Sequence, residues 1–213
     1  GFSNYGYNIS LCAPGVNILS TWDGSPNYYT SLSGTSMASP CAAGAAAIVK
    51  SHFPSYNAQQ VAQRLIATAD NIDSKNPSYI NMLGGGRINL YRAVTAPVVH
   101  SVSMTYDSIT DNNDNIFVLG DTLRIRGIFT NFLDSVANLN VTLSSASPYV
   151  TILNNAAALG TMPSMGTANN NGNPFTVKIS SSSPVNQSVV FELTFTDGSY
   201  TYHQFFSVLI NVD

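Results

Sequence analysis

Hydrophobic and polar positions change their spacing near the middle of this 213-residue chain. Up to about residue 96, short apolar runs alternate with segments whose apolar residues recur at helical spacing, which predicts a mixed α/β domain. From residue 97 onward, apolar and polar residues alternate in short runs that Asn, Asp, Gly and Pro interrupt, which predicts strands and turns. We therefore expect two domains, residues 1–96 and 97–213.

The first half contains two predicted helices and several extended segments. One helix runs from about residue 36 to residue 52, through "CAAGAAAIVK", and Phe53-Pro54 ends it. The other begins after Asn57, with Gln60 three residues later as in a capping box. Its predicted apolar face consists of Val61, Leu65 and Ile66, flanked by Ala62 and Ala69. The segments "NISLCAPG" and "VNILSTW" are predicted as buried strands, and "YYTSLSG" as a third extended piece.

The second half contains eight predicted strands, which is typical of a β-sandwich with an immunoglobulin-like outline. The strands are predicted at 98–106, 116–118, 122–130, 137–144, 149–153, 173–180, 187–196 and 200–212. No Cys…Trp…Cys pattern is present, so a true immunoglobulin domain is not indicated. The predicted core is Val102, Phe117, Leu123, Ile125, Phe129, Leu139, Val141, Val177, Phe191, Leu193, Phe195, Phe205 and Val208.

Charge is scarce in this sequence. Only 9% of the residues are charged and the net charge is -3, which argues against a nucleic-acid or anionic-membrane partner. No apolar run approaches the roughly 18 residues of a transmembrane helix, so no membrane span is predicted. A surface rich in Asn and Thr instead of charge favours an exported, extracellular bacterial protein.

The cysteines and histidines do not form a metal-binding pattern. Cys12 and Cys41 could form a disulfide or could be two small buried side chains. His52, His100 and His203 are far from each other and from the cysteines in the sequence, so no zinc site is predicted.

The stretch "SLSGTSMASP", residues 31–40, places hydroxyl groups where a helix is predicted to begin. Ser33, Thr35 or Ser36 could cap that helix. Alternatively, Ser36 could be a nucleophile, because free N–H groups and the positive end of the helix dipole would stabilise negative charge beside it.

Four motifs in order resemble those of the subtilisin-like serine peptidases. They are "SNYG" at 3–6, "APGVNILST" at 13–21, "LSGTSMASP" at 32–40 and "GGGRINLYRAV" at 84–94. The resemblance implies the C-terminal part of an α/β catalytic domain, a protein or peptide substrate, and Ser36 as nucleophile with its own N–H as an oxyanion donor. Thr35 is a candidate substrate-binding residue. The family's usual His-Val after the proline is replaced by Cys41-Ala42.

The family's acid and base are not found in the expected places. No histidine precedes Ser36, and the one acid before it, Asp23, has the wrong context. His52 follows Ser36 by sixteen residues, roughly 24 Å along a helix, which is too far for a base. We therefore expect a fragment of a secreted endopeptidase that is inactive alone and that requires the missing N-terminal part of its catalytic domain as a partner.

Two further interpretations remain open at this level. The chain could instead be a non-catalytic module whose β-sandwich binds a substrate, a surface or a partner. In "DNNDN", Asp111 and Asp114 offer oxygen ligands that could hold Ca²⁺, although the residue types favour an Asn/Asp-rich turn. Apolar surface left uncovered in the first half also predicts self-association.

Overall fold

The computed structural model describes residues 3–23, 28–111 and 113–212, apart from the side chains of residues 105–107. The chain divides into two compact units, residues 1–99 and residues 100–213. Within the described residues, no helix is long and apolar enough to cross a membrane.

The first unit is mainly helical and has one small sheet. Its elements are β1 (Ile18–Thr21), β2 (Tyr29–Leu32), α1 (Thr35–His52), α2 (Ala58–Ala67), two 3₁₀ turns (Asp73–Lys75 and Pro77–Tyr79) and α3 (Leu90–Thr95). Strands β1 and β2 form an antiparallel hairpin in which Ile18 pairs with Leu32. The prediction of two buried strands was wrong: β1 is mostly exposed, and of "NISLCAPG" only Cys12 makes a β-bridge, to Arg87. A strand is buried only where other elements pack on both of its faces, and three of the four residues of β1 are exposed.

The start of α2 confirms the capping box expected from the sequence. Asn57 Oδ1 accepts the N–H of Gln60 at 2.9 Å, and Gln60 Oε1 accepts the N–H of Asn57 at 3.1 Å. Of the predicted apolar face, Val61 and Leu65 are buried between the helices. The capping box fixes where α2 begins, and the buried face of the helix packs with residues of α1 and α3.

A buried arginine joins the helices of this unit. The Arg64 side chain, only 2% exposed, donates from Nε to the carbonyl of Ala93 at 2.8 Å and from Nη2 to the carbonyl of Ala96. Its guanidinium also lies 4.8 Å from the ring centre of Phe53. These two carbonyls lie near the C-terminal end of α3, where helical carbonyls lack helical donors, so Arg64 fixes α3 to α2.

The second unit consists of two antiparallel sheets. Its strands are β3 (Val102–Thr110), β4 (Thr122–Asn131), β5 (Val136–Ser144), β6 (Val150–Asn154), β7 (Ala156–Met162), β8 (Thr167–Asn169), β9 (Phe175–Ile179), β10 (Gln187–Thr196) and β11 (Thr201–Ile210). One sheet has the order β11-β10-β5-β7, and the other has the order β3-β4-β9-β6 with β8 paired to β4. Buried residues of both sheets form a single apolar cluster.

The predicted core of this unit differs from the observed cluster at two aromatic residues. Phe117 is only half-buried against the cluster. Phe205 lies on the opposite face of β11 from Val208, because residues of a strand alternate between faces, and Phe206 packs on the cluster instead. The predicted strand at 116–118 is irregular chain, and the sequence pattern missed β7 and β8.

Candidate active site

Ser36 is the second residue of α1, so the helix begins one residue before the predicted position. Its side chain is exposed, and its backbone N–H has no acceptor among the described residues. Pro40 follows four residues later inside the helix and lacks the N–H that would donate to the Ser36 carbonyl. The hydroxyl therefore lies beside a free backbone N–H group, at the positive end of a helix of five turns.

The interpretation of this stretch as a side-chain cap was wrong. The N-cap residue is Gly34, and in the part of the chain that the structure describes no side chain caps the helix. The Ser33 hydroxyl is used elsewhere, since its Oγ accepts the N–H of Asn17 at 2.9 Å. The helix start is instead joined to the preceding loop by a backbone bond, from the Gly34 N–H to the Gly15 carbonyl at 2.7 Å.

The loop that carries Gly15 is held by the glycine run at residues 84–86. Cys12 donates its N–H to the Gly86 carbonyl and accepts from the N–H of Ile88, both at 2.8 Å. Gly86 has a φ of +103°, and a Cβ there would lie 2.0 Å from the Asp70 carbonyl oxygen. Only glycine allows this close approach of three backbone segments.

A groove of about 360 Å³ lies beside Ser36. Its helical wall is formed by Ser36, Met37, Pro40 and Cys41, and its other wall by residues of β1 and β2 with Trp22. Thr35 lines a separate groove of about 250 Å³ together with Cys12 and Ala38. The structure thus places Thr35 and Ser36 on two different grooves, and the substrate-binding role of Thr35 stays a prediction.

The histidines are not arranged as a base for Ser36 within the first unit. His52 lies at the last position of α1, roughly 24 Å along the helix from Ser36, where its ring contacts Phe53 with centroids 4.7 Å apart. In the second unit, His100 Nδ1 lies 3.2 Å from the Asp134 carbonyl and His203 Nδ1 lies 2.7 Å from Glu192 Oε1.

A polar network surrounds Asp70, and the sequence pattern did not predict it. Asp70 Oδ1 accepts from Asn89 Nδ2 at 2.8 Å, Asp70 Oδ2 accepts from Arg87 Nη2 at 2.9 Å, and Arg92 Nη1 lies 3.5 Å away. The hydrogen bond from Asn89, followed by that from Arg87, lowers the pKa of Asp70. The partners lie 17 and more residues apart in the sequence, so no local pattern indicates the network.

Asp111 and Asp114 each fold back on their own backbone. Asp111 Oδ1 accepts the N–H groups of Asn113 and Asn115, both at 2.9 Å, and Asp114 Oδ1 accepts the N–H of Ile116 at 3.0 Å. The bonds from Asn113 and Asn115 lower the pKa of Asp111. Across the described residues, no three His, Cys, Asp or Glu side chains gather as metal ligands, so the geometry favours the turn.

Both thiols are free. Cys12 Sγ lies 3.6 Å from the Leu83 carbonyl, and burial raises the pKa of the Cys12 thiol. Cys41 is half-buried along the groove beside Ser36. The structure therefore favours the second of the two alternatives, two small side chains rather than a disulfide.

Comparison with known proteins places this geometry in context. The sequence profile of the subtilase family matches residues 1–91. Over 92 residues the chain is 50% identical to a thermostable alkaline protease of Halalkalibacterium halodurans, covering 43% of this chain and 24% of that protein. Over 88 residues it is 46% identical to Subtilisin Savinase of Lederbergia lenta, covering 41% of this chain and 30% of that protein. The chain thus spans less than a third of the length of these relatives.

Among solved structures, a FixG-related protein from Vibrio parahaemolyticus overlaps 52% of this chain and 95% of that chain, with a TM-score of 0.34 and 12% identity. Similarity this low carries no weight for the fold.

Proposed function

Because residues 1–91 belong to the subtilase family, we propose that this chain carries the nucleophile of a serine peptidase, and that the nucleophile is Ser36. The observation that supports the proposal is the position of Ser36. It lies in the "GTSMASP" turn, exposed, with an unbonded N–H at the start of an 18-residue helix.

The chemistry follows from that position. In acyl transfer, the serine Oγ attacks the carbonyl carbon of a peptide bond while a base removes the hydroxyl proton. Negative charge then develops on the substrate oxygen, and an N–H donor pointed at that oxygen lowers the barrier. The free N–H of Ser36, added to the helix dipole, supplies one such donor.

The proposal assigns the acid and the base to sequence outside these 213 residues. Within the chain, His52 lies at the far end of α1 and Asp23 is the one acid before Ser36. Without a base, a serine peptidase retains only the residual catalysis of its oxyanion donors and binding groups. The 213-residue chain alone is therefore expected to lack peptidase activity.

The second unit is assigned as an accessory β-sandwich of immunoglobulin-like outline in a secreted bacterial peptidase. Its two sheets and their single apolar cluster support the sandwich. The low charge content of the sequence supports an extracellular location, and the substrate class is protein or peptide.

Active-site labelling tests the proposal. In the full-length protein that contains these residues, a fluorophosphonate should attach to Ser36, and Ser36→Ala should abolish both labelling and peptide hydrolysis. Ser39→Ala is the matched control, since Ser39 is also exposed on the first turns of α1 and has no proposed role. Labelling of the 213-residue chain alone at the full-length rate, or hydrolysis that survives Ser36→Ala, would contradict the proposal.

A further inference from the structure

Gly15 lies against the turn that carries Ser36, and the contact leaves no space for a side chain. A Cβ at Gly15 would lie 2.8 Å from the Gly34 carbonyl oxygen and 3.2 Å from Ala38 Cβ. Its φ is not in the left-handed region, so the requirement for glycine comes from this close approach and not from backbone conformation.

The helix start depends on this contact, because no side chain among the described residues caps it. Gly34 has no side chain, and its N–H donates to the Gly15 carbonyl at 2.7 Å. The Gly34 carbonyl in turn accepts the N–H groups of Met37 and Ala38, at 3.1 and 3.3 Å. Gly34 is therefore bonded through its N–H to Gly15 and through its carbonyl to the first turn of α1. Ser36 lies in that turn, two residues after Gly34.

Gly15 is itself held at a fixed place. Pro14 restricts its own φ and the conformation of Ala13. Cys12, two residues before Pro14, is bonded on both its N–H and its carbonyl to the segment around Gly86 and Ile88. A rigid connection thus runs from the glycine run through residues 12–15 to the nucleophile turn.

We propose that Gly15 is a positioning residue for Ser36: its backbone carbonyl, and the absence of a side chain, set where the Ser36 hydroxyl and N–H lie. This inference rests on the proposed function of Ser36. A side chain at Gly15 would push away the carbonyl of Gly34, the same carbonyl that accepts from Met37 and Ala38. The first turn of α1 would shift with it.

The test compares Gly15→Ala with Gly172→Ala in the full-length protein. Gly172 lies in an exposed turn of the second unit, and a Cβ added there would meet no atom within 4 Å, so it is the matched control for the same substitution. Displacement of a catalytic group by about 1 Å costs roughly a hundredfold in rate. Gly15→Ala should therefore lower kcat and the rate of fluorophosphonate labelling by about a hundredfold, with KM changed little. Gly172→Ala should leave kcat, KM and labelling unchanged.

A second measurement uses the 213-residue chain and does not depend on activity. In Gly15→Ala, the Gly34 amide should exchange its hydrogen about tenfold faster, the factor that corresponds to loss of one hydrogen bond. The amides of Val49 and Leu65, in the unit's core, should exchange at the wild-type rate.

The two proposals fail in different ways. If the wild-type full-length protein is not labelled at Ser36, the proposed function is wrong, and the Gly34 exchange rate still decides the role of Gly15. If Gly15→Ala keeps the wild-type kcat and Gly34 exchange, the positioning role is wrong. If Gly15→Ala does not fold, hydrogen exchange of the wild-type chain replaces it. The Gly34 amide, which donates to the Gly15 carbonyl, should then be protected from exchange, and exchange at the rate of an unstructured amide would overturn the inference.

Discussion

Asp70 connects three parts of the first unit through one carboxylate. Its side chain accepts from Asn89 and Arg87, and its backbone N–H and carbonyl pair with the carbonyl and N–H of Arg87 at 2.7 and 2.9 Å. The hydrogen bond from Asn89, then that from Arg87, lowers the pKa of Asp70. A carboxyl whose pKa is lower in the folded state stabilises the fold when ionised, and that contribution disappears as pH falls through the folded pKa.

We expect Asp70→Asn to change how the stability of the first unit depends on pH. At pH 7 the variant should be less stable than the wild type, because the ionised carboxylate is lost. The difference should shrink as pH falls below the unfolded-state pKa of about 3.9, since the wild-type carboxyl then also becomes neutral. Urea unfolding at pH 7 and at pH 3, followed by fluorescence of Trp22 in the same unit, measures this. Asp73→Asn is the control with the same charge change. A difference that stays constant across this range would contradict the role of Asp70.

At the scale of single residues, the sequence indicates the candidate nucleophile but not the long-range contacts that hold the first unit together. Ser36 could be proposed as the nucleophile because the pattern of its turn is local in the sequence. The Gly15–Gly34 bond and the Asp70–Arg87 pair join residues 19 and 17 positions apart. No periodicity relates such residues, because their approach is set by how loops and helices pack.

Among the elements, β3 is an edge strand whose outer backbone groups bond to side chains. It ends its sheet, so its outer N–H and carbonyl groups have no neighbouring strand. Gln204 of β11 donates from Nε2 to the Met104 carbonyl and accepts the Met104 N–H at Oε1, both at 2.8 Å. The Val102 N–H donates to the phenolic oxygen of Tyr200 at 3.2 Å, and burial raises the pKa of Tyr200. These side chains replace a strand and connect the two sheets.

We expect Gln204→Leu to destabilise the second unit by about 2 kcal/mol, since it leaves the N–H and carbonyl of Met104 without partners. The free edge should also favour aggregation on refolding. Urea unfolding followed by circular dichroism measures the stability, and turbidity on dilution measures the aggregation. Ser207→Ala, an exposed change on the same strand, should have little effect. Equal stabilities of Gln204→Leu and the wild type would show that the edge does not need this contact.

Strong alternation of apolar and polar residues made most strands of the second unit predictable. Where this alternation is weak, the sequence prediction was wrong. In β4, buried and less buried residues alternate over ten positions, so the pattern alone reveals it. β7 is "AAALGTM", in which alanines and a Gly160 at φ +71° weaken the β signal, and its pairing with β5 is irregular. The segment 116–118 has apolar residues suited to a strand, but Ile116 and Val118 remain largely exposed.

At the scale of the whole molecule, the first unit leaves much apolar surface in contact with solvent. Large side chains that are more than half exposed include Tyr5, Val16, Leu19, Tyr28, Tyr29 and Tyr91. Helices α1 and α2 border a groove of about 580 Å³ lined almost entirely by aliphatic side chains. If about 400 Å² of such surface were covered, the gain would be about 10 kcal/mol, comparable to the stability of a domain. In the proposed full-length peptidase, the remainder of the catalytic domain is the expected cover.

The isolated 213-residue chain should therefore self-associate through this groove. Light scattering over a range of concentrations should give a mass above that of one chain, rising with concentration. Ala62→Glu should shift the chain toward monomer, because Ala62 is exposed and lines the groove, and burying an unpaired carboxylate in a contact is costly. Gln59→Glu is the matched control, since it adds the same charge to an exposed position of α2 outside the groove and should leave the mass unchanged. A wild-type chain that stays monomeric at every concentration would mean that the small core around Val49 and Leu65 is sufficient by itself, and association that persists in Ala62→Glu would mean that another surface makes the contact.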